Sequence, residues 1–166
     1  MTVDEFLLNS DALRGVYGYV PKIEEAVRVR SFNMNWRGPT VILRVDLPEF
    51  PDTPLGEWRD AGLDTVQCHL QFVAVEDFSV RKWHPPSVCR VTVHREGVKR
   101  LYVGFDGDGL GLRFRCSDSV LVGHVSAFRS SMDGSDDGVH SFVNRIDARR
   151  HTSLPETWEK TYYGRI

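Results

Sequence analysis

The chain has 166 residues, 41% hydrophobic and 27% charged, with 21 basic against 23 acidic side chains and a formal net charge of −2. That length suits one domain at roughly 100–200 residues each, and the composition is that of a folded globular chain, not a disordered one. Near-neutral charge excludes a polycation that coats nucleic acid, and no apolar run approaches the ~20 residues that span a bilayer.

The first residues, Met1-Thr2-Val3-Asp4-Glu5, lack the basic start and apolar stretch of a secretory signal. Asp4 to Asn9 reads as one short helical turn. Ser10 is a suitable N-cap for Asp11-Ala12-Leu13-Arg14, with Gly15 or Gly18 to stop the helix.

Beyond this start, most of the chain alternates with period two, as strands with one buried face do. Val27 and Val29 face away from Arg28 and Arg30, and Val41, Leu43 and Val45 away from Arg44 and Asp46. From Thr65, the row Val66, Cys68, Leu70, Phe72 opposes a wet row of Thr65, Gln67, His69, Gln71. Cys89, Val91, Val93 and then Leu101, Val103, Phe105 continue the pattern, and Leu110, Leu112, Phe114, Cys116 oppose Gly111, Arg113, Arg115, Ser117. A last strand carries His124. One-sided burial in strand after strand favours antiparallel pairing.

Turn signals at Trp36-Arg37-Gly38-Pro39, Glu96-Gly97 and Asp106-Gly107-Asp108-Gly109 separate neighbouring strands. The expected fold is therefore mainly β: an antiparallel meander of about seven or eight strands, a half-barrel or a two-layer sandwich, with a short helical N-terminus. Pro48, Pro51 and Pro54 in the loop from Leu47 to Gly62 allow no more than a turn of helix near Gly56 to Asp60.

After Ser130 the pattern lapses. Residues 1–130 are expected to form the single domain and 131–166 a polar tail, partly mobile or docked through Trp158, Tyr162 and Tyr163.

Catalytic templates are missing. There is no G-x-S-x-G elbow, GxxxxGK[ST] loop, HExxH or strand–GxGxxG–helix. A calcium loop from Asp106 fails at Leu110 and Ser117, which supply no carboxylate. No histidine pair has helical i, i+4 spacing or a neighbouring Cys-x-x-Cys. Cys68, Cys89 and Cys116 share rows with valine and phenylalanine, where a thiol acts as a small hydrophobe. Their odd number points to reduced thiols and a cytoplasmic protein. The reading is no enzyme, no catalytic residue, no cofactor and no metal.

Two charge features stand out. From Asp46 to Asp64 six acids accompany one base, Arg59, and the segment includes Phe50 and Trp58. Carboxylates that steer a basic partner, beside aromatic anchors that slow its release, make Glu49, Phe50, Asp52, Glu57, Trp58 and Asp60 the candidate binding residues. The plainer alternative is a solvated loop that Phe50 and Trp58 staple to the domain. The second feature is the arginine row: Arg28, Arg30, Arg44, Arg90, Arg100, Arg113 and Arg115. It could hold single-stranded nucleic acid with Tyr102. Arginine stems covering sheet surface, neutralised in part by acids such as Asp46 and Glu96, are the stronger account of the row, and nucleic acid is not the expected partner.

Leu8-Asn9-x-x-x-Leu13, Tyr17-Gly18 and Pro21 come first in a further pattern. Next is Arg37-Gly38-Pro39-Thr40-Val41-x-Leu43-Arg44-x-Asp46-Leu47-Pro48-x-Phe50-Pro51, succeeded by Pro54 and Trp58. Thr65-Val66-Gln67 and Trp83 complete it. In this order of residues, over about 5–130, the chain resembles the bacterial immunity protein 50 family. The resemblance implies a cytoplasmic antitoxin that binds a cognate toxin domain of a polymorphic toxin system and inhibits it by stoichiometric protein–protein contact. The rival expectation is a β-barrel pocket for a small ligand, or the nucleic-acid sheet. No membrane partner is expected.

Overall fold

The computed structural model describes residues 1–143; Trp158, Tyr162 and Tyr163 lie outside them. A 3₁₀ turn at Val3–Phe6 precedes helix α1 (Asp11–Tyr17). Ser10 occupies the N-cap position, and Gly18 ends the helix in the left-handed region at φ +80°, its N–H bonding to the Arg14 carbonyl. Nine strands come after it: β1 (Val27–Asn35), β2 (Thr40–Asp46), β3 (Thr65–Phe72), β4 (Glu76–Trp83), β5 (Ser87–Arg95), β6 (Arg100–Gly107), β7 (Leu110–Ser117), β8 (Val120–Phe128) and β9 (Ser141–Phe142). Helix α2 (Gly56–Asp60) interrupts the β2–β3 loop where a single turn is expected.

The strands form one antiparallel sheet in the order β4-β7-β6-β5-β1-β2-β3-β8-β9. A single sheet removes the two-layer alternative. Chain order holds within β1-β2-β3 and β5-β6-β7 but not between them, because the sheet curls. β1 and β4 are four strand positions apart, roughly 19 Å on a flat sheet. Even so, the Phe32 ring lies 5.3 Å from Phe78 and 4.6 Å from Trp83. The curl lets the chain leave β3 across the open end: Val75 N–H reaches the Pro39 carbonyl and Ser117 N–H the Val73 carbonyl. β4 therefore docks on β7, and the meander is broken there.

The valine-rich rows line the concave side. Val41, Leu43, Val45, Val66, Cys68, Leu70 and Phe72 are fully buried, and so are Val103, Phe105, Leu112, Phe114 and Cys116. Phe72 packs edge-on against Phe105 and Phe114 from the opposite wall, at 6.2 and 5.0 Å, so rings fill this part of the interior.

Bulges on β1 and β8 adjust the register there. Val29 opposes Val45 but Ser31 opposes Arg44, so Arg30 is the extra residue of β1. It turns outward with Ser31, and Phe32 and Met34 inherit the inward phase. On β8, three steps from Gly123 to Ser126 match two on β3 from His69 to Gln67, with His124 at φ +50°. This sets His124 on the outer side, its ring 5.0 Å from that of His69.

Candidate functional site

The loop after β2 is held rigidly from below. Trp58 is buried at 1% exposure, and its indole N–H donates to Ser141 Oγ over 3.1 Å. Phe50, half-buried, packs 6.2 Å from Trp58. These two candidate binding residues thus fasten the loop and do not present free aromatic surface. The Tyr17 hydroxyl donates to the Glu49 carbonyl at 2.6 Å, and Arg129 donates to the Ala61 and Gly62 carbonyls. Gly62 sits at φ +67°, and a Cβ there would meet Arg129 Nη2 at 2.5 Å, so both conformation and space call for glycine.

Glu49, Asp52, Glu57 and Asp60 are exposed, and none has an ion pair among the described residues. Glu57 and Asp60 are three apart on α2, hence on one side of it. Tyr19, exposed, donates to Glu49 Oε2 at 3.2 Å. Its phenol is raised above the ordinary range by desolvation, by that hydrogen bond, and by the Glu49 and Asp52 charges. Burial likewise pushes the Tyr17 phenol far up, helped by Cys68, Tyr19 and Glu49. The other acids of the segment are engaged elsewhere. Asp64 accepts from Ser130 and Thr65; these bonds outweigh partial burial and hold its carboxyl below the usual range. Asp46 is buried inside the protein.

Asp46 belongs to a network on the convex side of β1, β2, β3 and β8, where residues 130–143 cover the sheet. Gln67 and His69, expected in water, are 0% and 4% exposed there. Arg30 chelates Asp46, with Nη2 at 2.7 Å from Oδ2. Asp136 reaches down to Arg44 at 2.7 Å and to Arg30 at 3.6 Å. Gln67 Nε2 donates to both carboxylates, at 2.7 and 2.9 Å. Burial pushes the Asp136 carboxyl up, but Gln67, Arg44 and Arg30 together bring it below its ordinary value. Arg30 Cζ also lies 5.5 Å from the Phe128 ring, on which His140 stacks at 4.7 Å.

The arginine row is consequently not a free cationic face. Arg30 and Arg44 are enclosed, and Arg28 donates to the Gly134 carbonyl. Arg90 pairs with Glu25, Arg100 with Glu76, Arg113 with Asp106, and Arg115 with Glu96 and Asp77. These pairs leave little unpaired charge for a phosphate backbone. Among the described residues, no group of three or more His, Cys, Asp or Glu is placed to hold a metal ion, and no helix is long and apolar enough to cross a membrane.

The described residues thus form a one-sheet β domain with four exposed carboxylates, Glu49, Asp52, Glu57 and Asp60, on a braced loop. The family model for immunity protein 50 matches residues 9–126, and the chain belongs to that family. No curated protein and no solved structure gives a significant match.

Proposed function

We propose that the chain is an antitoxin, acting in the cytoplasm of the cell it protects, that binds the toxin domain of a polymorphic toxin system one to one and blocks it without turnover. Family membership supplies the class. The observation that supports a basic toxin surface is the set of four exposed carboxylates, Glu49, Asp52, Glu57 and Asp60, paired with no cation among the described residues. Charge of this kind steers encounter and sets partner choice. Phe50 and Trp58 act beneath it as braces, so the acids meet the toxin already ordered and little entropy is lost on binding.

The test uses the toxin domain encoded beside this gene. Co-purification, titration calorimetry and a toxicity assay should give a tight 1:1 complex, protection of the host, and association that slows as salt rises. Absence of a complex and of protection overturns the antitoxin reading. The Asp52→Lys, Glu57→Lys, Asp60→Lys triple variant should associate at least about tenfold more slowly. Unchanged association in that variant removes the acidic loop from the interface while leaving the antitoxin reading standing.

A further inference from the structure

We propose that the open edge of β4, with the distal half of β1, is a docking groove for an extended acidic segment of a partner protein, apolar along one side. The groove lies at the opposite end of β2 from the acidic loop, and its occupant need not be the toxin.

The two edges of the sheet are finished differently. Along β8, Leu8 N–H bonds to the Val120 carbonyl, the Asn9 side chain takes both main-chain groups of Val122 at 2.7 and 2.8 Å, and β9 pairs with Ser126 and Ala127. Among the described residues β4 pairs only with β7, and β1 beyond Val29 pairs only with β2. Two strand edges therefore flank one seam, each with main-chain groups on offer.

The side chains at the seam belong to the interior face. Val80 is in register with Leu112 and Trp83 with Leu110, both of the concave rows. Phe78 stacks on Phe114. The Arg30 bulge sets Phe32 opposite Leu43 and Met34 opposite Val41. Yet Met34, Val80 and Trp83 are 38%, 39% and 37% exposed. At this seam the apolar face opens to water, which suits it to bury a partner's side chains.

Charge selects the partner. Arg81 and Lys82 lie between Val80 and Trp83, and Arg37 comes directly after Trp36 in the β1–β2 turn. All three are exposed and, among the described residues, without an ion pair, whereas the β4 acids Glu76 and Asp77 are held by Arg100 and Arg115. The complementary segment is acidic. It is extended because a strand edge pairs only with extended backbone.

The test titrates the full chain with a peptide of about ten residues in which Val and Phe alternate with Asp and Glu, and with a twin carrying Lys for each acid. Binding is monitored by tryptophan fluorescence and amide chemical shifts. The acidic peptide should bind at least about tenfold more tightly than its twin, with shifts centred on Phe32–Met34 and Phe78–Trp83. Val80→Lys should abolish that binding, and the Arg81→Glu, Lys82→Glu double variant should reverse the preference, each with a melting temperature close to the parent's. No binding, equal binding of the two peptides, or indifference to Val80→Lys overturns the proposal. A concentration-dependent dimer that Val80→Lys dissociates also overturns it, since a second copy is then the occupant.

Discussion

The Arg30 guanidinium embraces the Asp46 carboxylate on the convex side of the sheet, with Nε 3.0 Å and Nη2 2.7 Å from Oδ2 and both side chains at about one-twentieth exposure. Strict alternation with Val27 and Val29 already points Arg30 outward; the bulge adds Ser31 to the same side. Removing one partner of a buried pair strands the other charge, which costs about 3–5 kcal/mol. Asp46→Ala leaves Arg30 only the longer contact to Asp136, at 3.6 Å, and should be among the most destabilising polar substitutions at the described residues. Asp136→Ala leaves Arg30 its Asp46 and should cost less, about 1.5–3 kcal/mol. Urea titrations of the two variants check both the size and the order.

His140 makes the covering segment sensitive to acid. The Asp136 carbonyl can only accept, so His140 Nε2 carries the proton and Nδ1 accepts from Ser126 Oγ, at 3.0 and 2.9 Å. Burial is the main cause that lowers the His140 pKa below 6.5; the neighbouring Asp136 opposes it only in part. A base with a depressed folded pKa binds protons more readily when unfolded. Its contribution is complete above about 6.5 and is lost as pH falls through the folded value. The lowered carboxyls of Asp136 and Asp64 act in the same sense further down, below about 3.8. Melting temperatures should drop between pH 7.5 and pH 5, and His140→Phe, which keeps the stack on Phe128, should shrink that drop. An equal drop in parent and variant assigns the sensitivity to other groups.

Which residues share a side of the sheet is legible in the sequence; which sides are covered is not. Alternation places Val66, Cys68, Leu70 and Phe72 together and they are together. It says nothing of Gln67 and His69 being enclosed, because their cover comes from Asp136 to Phe142, a stretch with no apolar period and 69 positions away from Gln67 in the case of Asp136. The outward positions of β3 and β8, Gln67, His69, His124 and Ser126, carry no arginine or lysine, unlike Arg113 and Arg115 of β7. β4 escapes the period-two reading because shifts on both sides of Ser79–Val80 break its phase. In the acidic loop, charge alone picks out Glu49, Asp52, Glu57 and Asp60, whereas the bracing role of Trp58 depends on Ser141, far along the chain.

The interior rows set the stability of the sheet. Leu70 and Leu112 are fully buried on opposite walls, β3 and β7, in a space already filled by phenylalanine rings. Leu70→Ala and Leu112→Ala each remove a branched side chain that surrounding rings on fixed strands cannot replace, so each should cost about 2–5 kcal/mol. Thermal or urea melts matching the parent would show that these rows do not carry the core.

The three thiols are held out of reach of chemistry. Cys68, Cys89 and Cys116 are at most 2% exposed and sit in the concave rows. Burial pushes the Cys68 thiol far up, raises Cys89 despite the opposing hydrogen bond of the Ser87 side chain, and lifts Cys116 to about 12. The thiolate is the reactive form, so at pH 8 almost none is present and none is exposed. An aromatic disulfide reagent should therefore release its chromophore slowly from the native protein, at the rate of opening. In denaturant it should react rapidly with all three cysteines of the chain. Rapid reaction of one thiol in the folded state would reveal an accessible, activated cysteine and reopen the question of chemistry at that position.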